Sequence, residues 1–118
     1  MCPVSSDCLF CSIVLRSVPA TIVHETDSVL AFRDINPQAP THVLVIPKAH
    51  HSDAASMATT DPALAGRVLD VAGQVAAADG VDAAGYRLVF NTGKDGQQTV
   101  FHAHCHVLGG RGMEWPPG

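Results

Sequence analysis

The chain of 118 residues predicts a single α+β domain, 1–118, built on a five-stranded antiparallel sheet with one short N-terminal helix and one long helix. Three observations predict it. Short runs rich in β-branched residues recur between turn signals, as strands require. One long segment carries apolar residues at helical spacing. Near the C-terminus, Phe101 to Val107 alternates strictly between histidine and apolar or soft residues, the period-2 pattern of a strand with one buried face.

The elements follow in order. Asp7 suits the cap of a short helix over Cys8 to Arg16, with Leu9, Phe10, Ile13 and Val14 as its apolar positions and Pro19 just past its end. Ala20 to Glu25 and Val29 to Asp34 read as a hairpin across the turn Thr26-Asp27-Ser28. Prolines make Asn36 to Pro40 a loop, and Thr41 to Pro47, almost continuously apolar, reads as a central strand. Asp61-Pro62 places a cap before a proline at the first helical position, and Leu64, Val68, Leu69, Val71, Ala72 and Val75 form a stripe that ends by Gly80. Gly85 to Asn91 is the fourth strand. The polar loop Thr92 to Gln97 leads into the histidine strand, which Gly109-Gly110 stops. Short connections suit a meander with helices on one face of the sheet.

The net charge of −4 and a pI near 5.9, with no basic run, argue against general nucleic-acid or membrane-surface binding. No apolar run approaches the roughly 20 residues that span a bilayer, and Met1-Cys2-Pro3-Val4 is unlike a signal peptide, so the expectation is a cytoplasmic protein. In that reducing compartment Cys2, Cys8, Cys11 and Cys105 are expected free or metal-bound, with Cys2 an exposed thiol and Cys105 a buried small hydrophobe.

His102, His104 and His106 share one face of the predicted strand. At about 3.3 Å rise per residue, neighbours stand about 6.6 Å apart and the outer pair about 13 Å apart, too spread for one tetrahedral ion. A row of imidazoles offering a nucleophile and hydrogen-bond donors to an extended anion fits better. Any phosphate has to be held by such side chains and by backbone amides, which the loop 92–97 offers. His24, His42 and His51 read as ordinary satisfied or exposed polar residues, and Asp7 and Asp61 as helix caps alone. Cys8-x-x-Cys11 has the spacing of half a zinc site. A thioredoxin-like redox pair is the rival, weakened because no suitable strand precedes it.

Nearly the whole chain resembles the histidine triad (HIT) family, in its nucleotide-binding branch. The resemblance rests on Cys8-Leu9-Phe10-Cys11, the stretch Phe32-Arg33-Asp34-Ile35-Asn36-Pro37-Gln38-Ala39-Pro40-Thr41-His42, Ile46-Pro47-Lys48-Ala49-His50, Gly85-Tyr86-Arg87, and the triad through Arg111 with the tail Trp115-Pro116-Pro117-Gly118. Leu108-Gly109-Gly110-Arg111 favours this branch over dinucleoside polyphosphate hydrolases, and His106 stands where the uridylyltransferase branch has glutamine.

The resemblance implies a homodimer joining two sheets and hydrolysis of purine nucleoside 5′-phosphoramidates, such as adenosine 5′-monophosphoramidate. It implies His104 as nucleophile, His106 as donor to the phosphate, and the His102 carbonyl orienting His104. Asp34 would accept from the ribose hydroxyls, and Leu9, Phe10, Ile13, Phe32 and Ile35 would wall the purine. Asn91, Gln98 and Thr99 would meet the phosphate and leaving group. Zinc would be completed by His50 and His102 with Cys8 and Cys11. Two positions depart from the family pattern. Thr99 replaces serine, keeping the hydroxyl and adding a methyl, and Gln97 replaces glycine where backbone would approach the phosphate. Slow hydrolysis by a regulatory purine-nucleotide-binding protein, dinucleoside polyphosphate hydrolysis and zinc-dependent hydrolysis are the alternative activities.

Overall fold

The computed structural model describes residues 7–118, so the readings of Cys2 and of Met1 to Val4 lie outside the described residues. In chain order the elements are α1 (Leu9–Val14), β1 (Ile22–Glu25), β2 (Val29–Arg33), β3 (Thr41–Pro47), α2 (Ala54–Thr60), α3 (Pro62–Ala78), β4 (Tyr86–Val89) and β5 (Cys105–Gly109). All five strands join one antiparallel sheet in the order β1-β2-β3-β5-β4. The expected meander is therefore broken. After β3 the chain crosses through α2 and α3, returns as the edge strand β4, and β5 then inserts between β4 and β3.

Alternation along the strands sorts side chains into two cores. Val29, Ala31, Val43, Val45, Cys105 and Val107 meet Leu64, Val68, Val71, Ala72 and Val75 of α3 on one face. On the other, Leu30, Phe32, Leu44 and Ile46 meet Phe10 and Ile13 of α1. Helices on one face only was the expectation. The nearly unbroken apolar runs of β2 and β3 instead leave both faces to be covered, and α1 covers the second. Each fully buried aliphatic or aromatic side chain contributes about 1.5–3 kcal/mol.

The long helix starts as expected: the Asp61 side chain accepts from the Leu64 amide at 3.1 Å, with Pro62 at the first position. α1 is shorter than expected, and Cys8 caps it in place of Asp7, its Sγ accepting from the Cys11 amide at 3.5 Å. α2 was not foreseen. It is capped by Asp53, whose carboxylate takes the Ser56 amide at 2.8 Å, and it buries only Met57, so it has no apolar stripe to read.

The histidine strand is also shorter than its alternation suggested. β5 begins at Cys105, where its pairing with Val45 starts. Ahead of it the Ala103 amide goes to the His51 carbonyl at 2.7 Å, and Phe101 is 59 % exposed instead of packed in the core. Cys105 and Val107 are buried as expected, and burial pushes the Cys105 thiol up to about 12.

Candidate active site and metal centre

β2 carries Phe32, with Asp34 one residue past its end, β3 carries His42 and Leu44 on the α1 side of the sheet, and β5 carries His106 opposite Leu44. α1 stands over them and closes a cavity of about 260 Å³. Leu9, Phe10, Ile13, Phe32 and Ile35 line its apolar part; Asp34, His104, His106 and Thr99 line its polar part. Phe10 is central to the packing, with ring centroids 5.5 Å from Phe32 and 5.0 Å from His104, both edge to face. Ile35 is 99 % exposed, which places it at the mouth.

Asn91, Gln97 and Gln98 do not line this cavity. The Gln98 side chain is buried and already engaged. Its amide nitrogen donates to the carbonyls of Ser52 at 2.7 Å and Val100 at 3.1 Å, and its oxygen accepts from the Gly93 amide at 3.0 Å. The loop amides are spent in the same way: Gln97 donates to the Lys94 carbonyl and Gln98 to that of Gly93, each at 3.0 Å. The expectation of free loop amides is thus corrected at Gly93 and Gln97, because the loop folds on itself. A Cβ at Gly96 would lie 2.5 Å from the Thr92 carbonyl oxygen, so the fold of this loop demands glycine there.

His104 is buried, and its Nδ1 donates to the His102 carbonyl at 2.7 Å. Burial lowers its pKa, outweighing the help of that hydrogen bond and of Asp34. The ring is therefore neutral, with its proton on Nδ1 and a lone pair on Nε2. Such an atom can attack an electrophile in the cavity.

His106 is set differently. The Gln38 amide donates to His42 Nδ1 at 3.0 Å, which leaves the proton of neutral His42 on Nε2. That nitrogen is 2.9 Å from His106 Nδ1 and 3.4 Å from an Asp34 carboxylate oxygen. His106 Nδ1 accepts, so its own proton is on Nε2. Burial, then the neighbouring His104 and His42, push the His106 pKa down to about 4. His42 was read from sequence as an ordinary polar residue. Its signal was a lone histidine in an apolar strand, on the same alternate positions as Leu44 and Ile46.

His102 turns away from this row. It is fully buried, and its Nε2 donates to the Pro47 carbonyl at 2.7 Å. Its Nδ1 is 3.5 Å from both Cys8 Sγ and Cys11 Sγ, and Cys11 Sγ is 3.3 Å from His50 Nδ1. One ligand atom from each of Cys8, Cys11, His50 and His102 falls within 4.8 Å of the others. With Zn–S of about 2.3 Å and Zn–N of about 2.0 Å, a tetrahedron sets S and N about 3.5 Å apart, so the set fits zinc.

Asp34, His42 and His106 meet the same distance test, but not the tautomer test. A ligating histidine donates its other ring N–H to an acceptor, as His102 does to Pro47. His42 instead receives a backbone N–H at its far nitrogen. The first cluster has the geometry and tautomer that could hold a metal ion, and the second is arranged as a hydrogen-bond relay. Among the described residues, no helix is long and apolar enough to cross a membrane.

Comparison with known proteins agrees with this arrangement. The model of the HIT domain matches residues 16–113. A HIT-like protein of Synechococcus elongatus is 48% identical over 114 residues, covering 97% of this chain and 99% of the relative. A 14 kDa zinc-binding protein of Zea mays is 47% identical over 115 residues, covering 96% and 89%. The crystal structure of a HIT family hydrolase from Legionella pneumophila superposes with a TM-score of 0.90 at 50% identity, covering 94% of this chain and 99% of that one. The three alternating histidines at the head of β5, the five-stranded sheet beneath them and these likenesses coincide, and the chain belongs to the HIT domain family.

Proposed function

We propose that the protein hydrolyses the P–N bond of purine nucleoside 5′-phosphoramidates, of the adenosine 5′-monophosphoramidate type. The observation that carries this reading is His104, neutral and with its Nδ1–H tied to His102, lining a cavity with an apolar wall and a polar end. His104 Nε2 attacks the α-phosphorus and the P–N bond to the amine breaks. The amine takes up a proton from water as it leaves; a water molecule then adds to phosphorus, breaks the P–Nε2 bond and returns a proton to solvent, giving the nucleoside monophosphate and neutral His104. His106 Nε2–H donates to the phosphate oxygens as charge builds. Asp34 accepts from the ribose hydroxyls, the purine lies between Phe10, Ile13 and Phe32, and Thr99 meets the departing amine. Asn91, Gln97 and Gln98 lie off the cavity and act through the loop they form.

Cys8, Cys11, His50 and His102 would hold zinc. When bound, it supplies a cross-link between α1 and the triad segment; four protein ligands leave no open position for chemistry. The zinc-binding name of the maize relative supports that reading. Both thiols must stay reduced, which suits a cytoplasmic protein. The proposed assembly is a homodimer in which the open sheet edges of two copies join the two sheets into one.

The test is a panel of adenosine and guanosine phosphoramidates with varied amines, beside a diadenosine polyphosphate. Wild type should turn over the phosphoramidates and form a nucleotidyl adduct. His104→Ala should lose roughly 10⁴-fold or more in kcat while still binding AMP. AMP binding without turnover in wild type, preference for the polyphosphate, or full activity in His104→Ala would overturn the proposal.

A further inference from the structure

We infer that Asp79, behind the sheet from the cavity, is a positioning residue that holds Asp34 in place to select nucleotides with a 2′,3′-diol. The inference rests on the proposed role of Asp34 at the ribose.

The alternation of β2 and β3 makes the connection. Arg33 directly precedes Asp34, and Thr41 directly precedes His42; the Arg33 and Thr41 side chains reach Asp79 at the end of α3, while Asp34 lines the cavity, which Arg33 also borders, and His42 meets Asp34 and His106. Asp79 caps the C-terminus of α3, its amide donating to the Val75 carbonyl at 3.0 Å. Its carboxylate takes both arms of the Arg33 guanidinium, at 2.5 and 2.9 Å, and the Thr41 hydroxyl at 2.9 Å. One side chain thus grips the end of β2 and the start of β3, each one residue behind a site residue.

A bidentate arginine–carboxylate pair fixes direction as well as distance. The Asp79 side chain is 19 % exposed, and the Arg33 guanidinium holds its carboxyl below the usual carboxylate range. The end of a helix favours cations over carboxylates, so α3 itself does not ask for aspartate there. What the pair secures is the spacing of the two strands where the chain leaves β2. On the cavity side of that point the Asp34 amide donates to the His42 carbonyl at 3.0 Å, and one Asp34 oxygen is held by the Asn36 amide at 2.8 Å. The other oxygen lies 3.4 Å from His42 Nε2. A carboxylate so fixed can read a vicinal diol; one free to swing with the loop reads it poorly.

The experiment compares adenosine and 2′,3′-dideoxyadenosine 5′-phosphoramidates on wild type, Asp79→Asn, Thr41→Val and Arg33→Lys. Wild type should prefer the ribonucleoside by roughly tenfold or more in kcat/KM. Asp79→Asn should erase most of that preference, chiefly through KM for the ribonucleoside. Thr41→Val should erase part of it, and Arg33→Lys should keep more than Asp79→Asn. Melting curves establish which variants are folded. Equal losses on both substrates in the folded variants, with the preference intact, would overturn the inference and reduce Asp79 to a structural role. If Asp79→Asn does not fold, Thr41→Val decides by the same ratio. Absence of any ribose preference in wild type that still turns over both substrates would remove the role of Asp34 and this inference with it, while leaving the phosphoramidase chemistry standing.

Discussion

His42 Nε2 donates to His106 Nδ1 across 2.9 Å, and the direction of that hydrogen bond is set by the Gln38 amide on the far side of the His42 ring. The proton on His106 is thereby assigned to Nε2. That atom is buried and has no hydrogen-bond partner among the described residues. A buried donor left without a partner costs about 1–3 kcal/mol, which an incoming phosphate oxygen would return.

Replacing His42 by leucine removes the donor while keeping most of the volume. His106 is then free to carry its proton on either nitrogen, and the donor to the phosphate is present only part of the time. We expect kcat for a phosphoramidate to fall roughly 10²-fold, with AMP affinity within about threefold of wild type. Steady-state kinetics beside calorimetric titration with AMP measures both. An unchanged kcat would mean that His42 does not set the His106 tautomer.

Zinc at Cys8, Cys11, His50 and His102 would tie α1, which carries Phe10 of the cavity wall, to the segment whose carbonyl holds His104. Metal analysis of protein purified without chelator should find zinc, and Cys11→Ser should lose it. Binding at about 100 times the dissociation constant contributes about 2.7 kcal/mol, so stripping the ion should lower Tm by roughly 10 °C. Metal-free wild-type protein with an unchanged Tm would sink the structural role.

Much of this was legible in the sequence because the local signals agreed with the tertiary ones. Asp61-Pro62 and the stripe through Val75 marked α3, and the β-branched runs marked β2 and β3. The metal set was legible as a Cys-x-x-Cys pair joined to the family pattern. Three features were not. α2 buries only Met57 and so left no periodic trace. The insertion of β5 between β3 and β4 depends on pairing across the whole chain, which no local window contains. The late start of β5, which leaves His102 and His104 ahead of the sheet, goes with the Ala103 amide turning to the His51 carbonyl, a contact distant in sequence.

Acid should weaken the fold through His106. Its pKa falls from the ordinary 6.5 to about 4, first through burial and then through His104 and His42. Between those values the unfolded chain takes up a proton that the folded chain refuses, so stability rises with pH across this window and is lost as pH drops from 6.5 toward 4. The full effect is on the order of 2–3 kcal/mol, or roughly 1 M in the urea midpoint. Urea titrations at pH 7, 6, 5 and 4.5 on wild type and His106→Gln separate this group from the other buried histidines. The variant should lose less over the range; equal slopes would show that His106 is protonated as readily folded as unfolded.

Gln97 adopts φ 64°, the left-handed region, where its amide closes the turn onto the Lys94 carbonyl at 3.0 Å. An L-residue gives up about 1–2 kcal/mol there, whereas glycine does not. Glycine in turn adds about 0.4–1 kcal/mol of unfolded-state entropy to be lost on folding. The first effect is the larger, so Gln97→Gly should stabilise by about 0.5–1 kcal/mol and raise Tm by roughly 2–4 °C. Gln97→Ala keeps the backbone strain and should gain nothing, which separates strain from loss of the side chain. Because Gln97 does not line the cavity and Gln98 is braced by Ser52, Val100 and Gly93, kcat/KM for a simple phosphoramidate should stay within about twofold. A larger change in rate with the expected gain in Tm would show that the Gln97 side chain reaches the substrate after all. A lower Tm would show that its contacts outweigh the strain of the backbone that carries it.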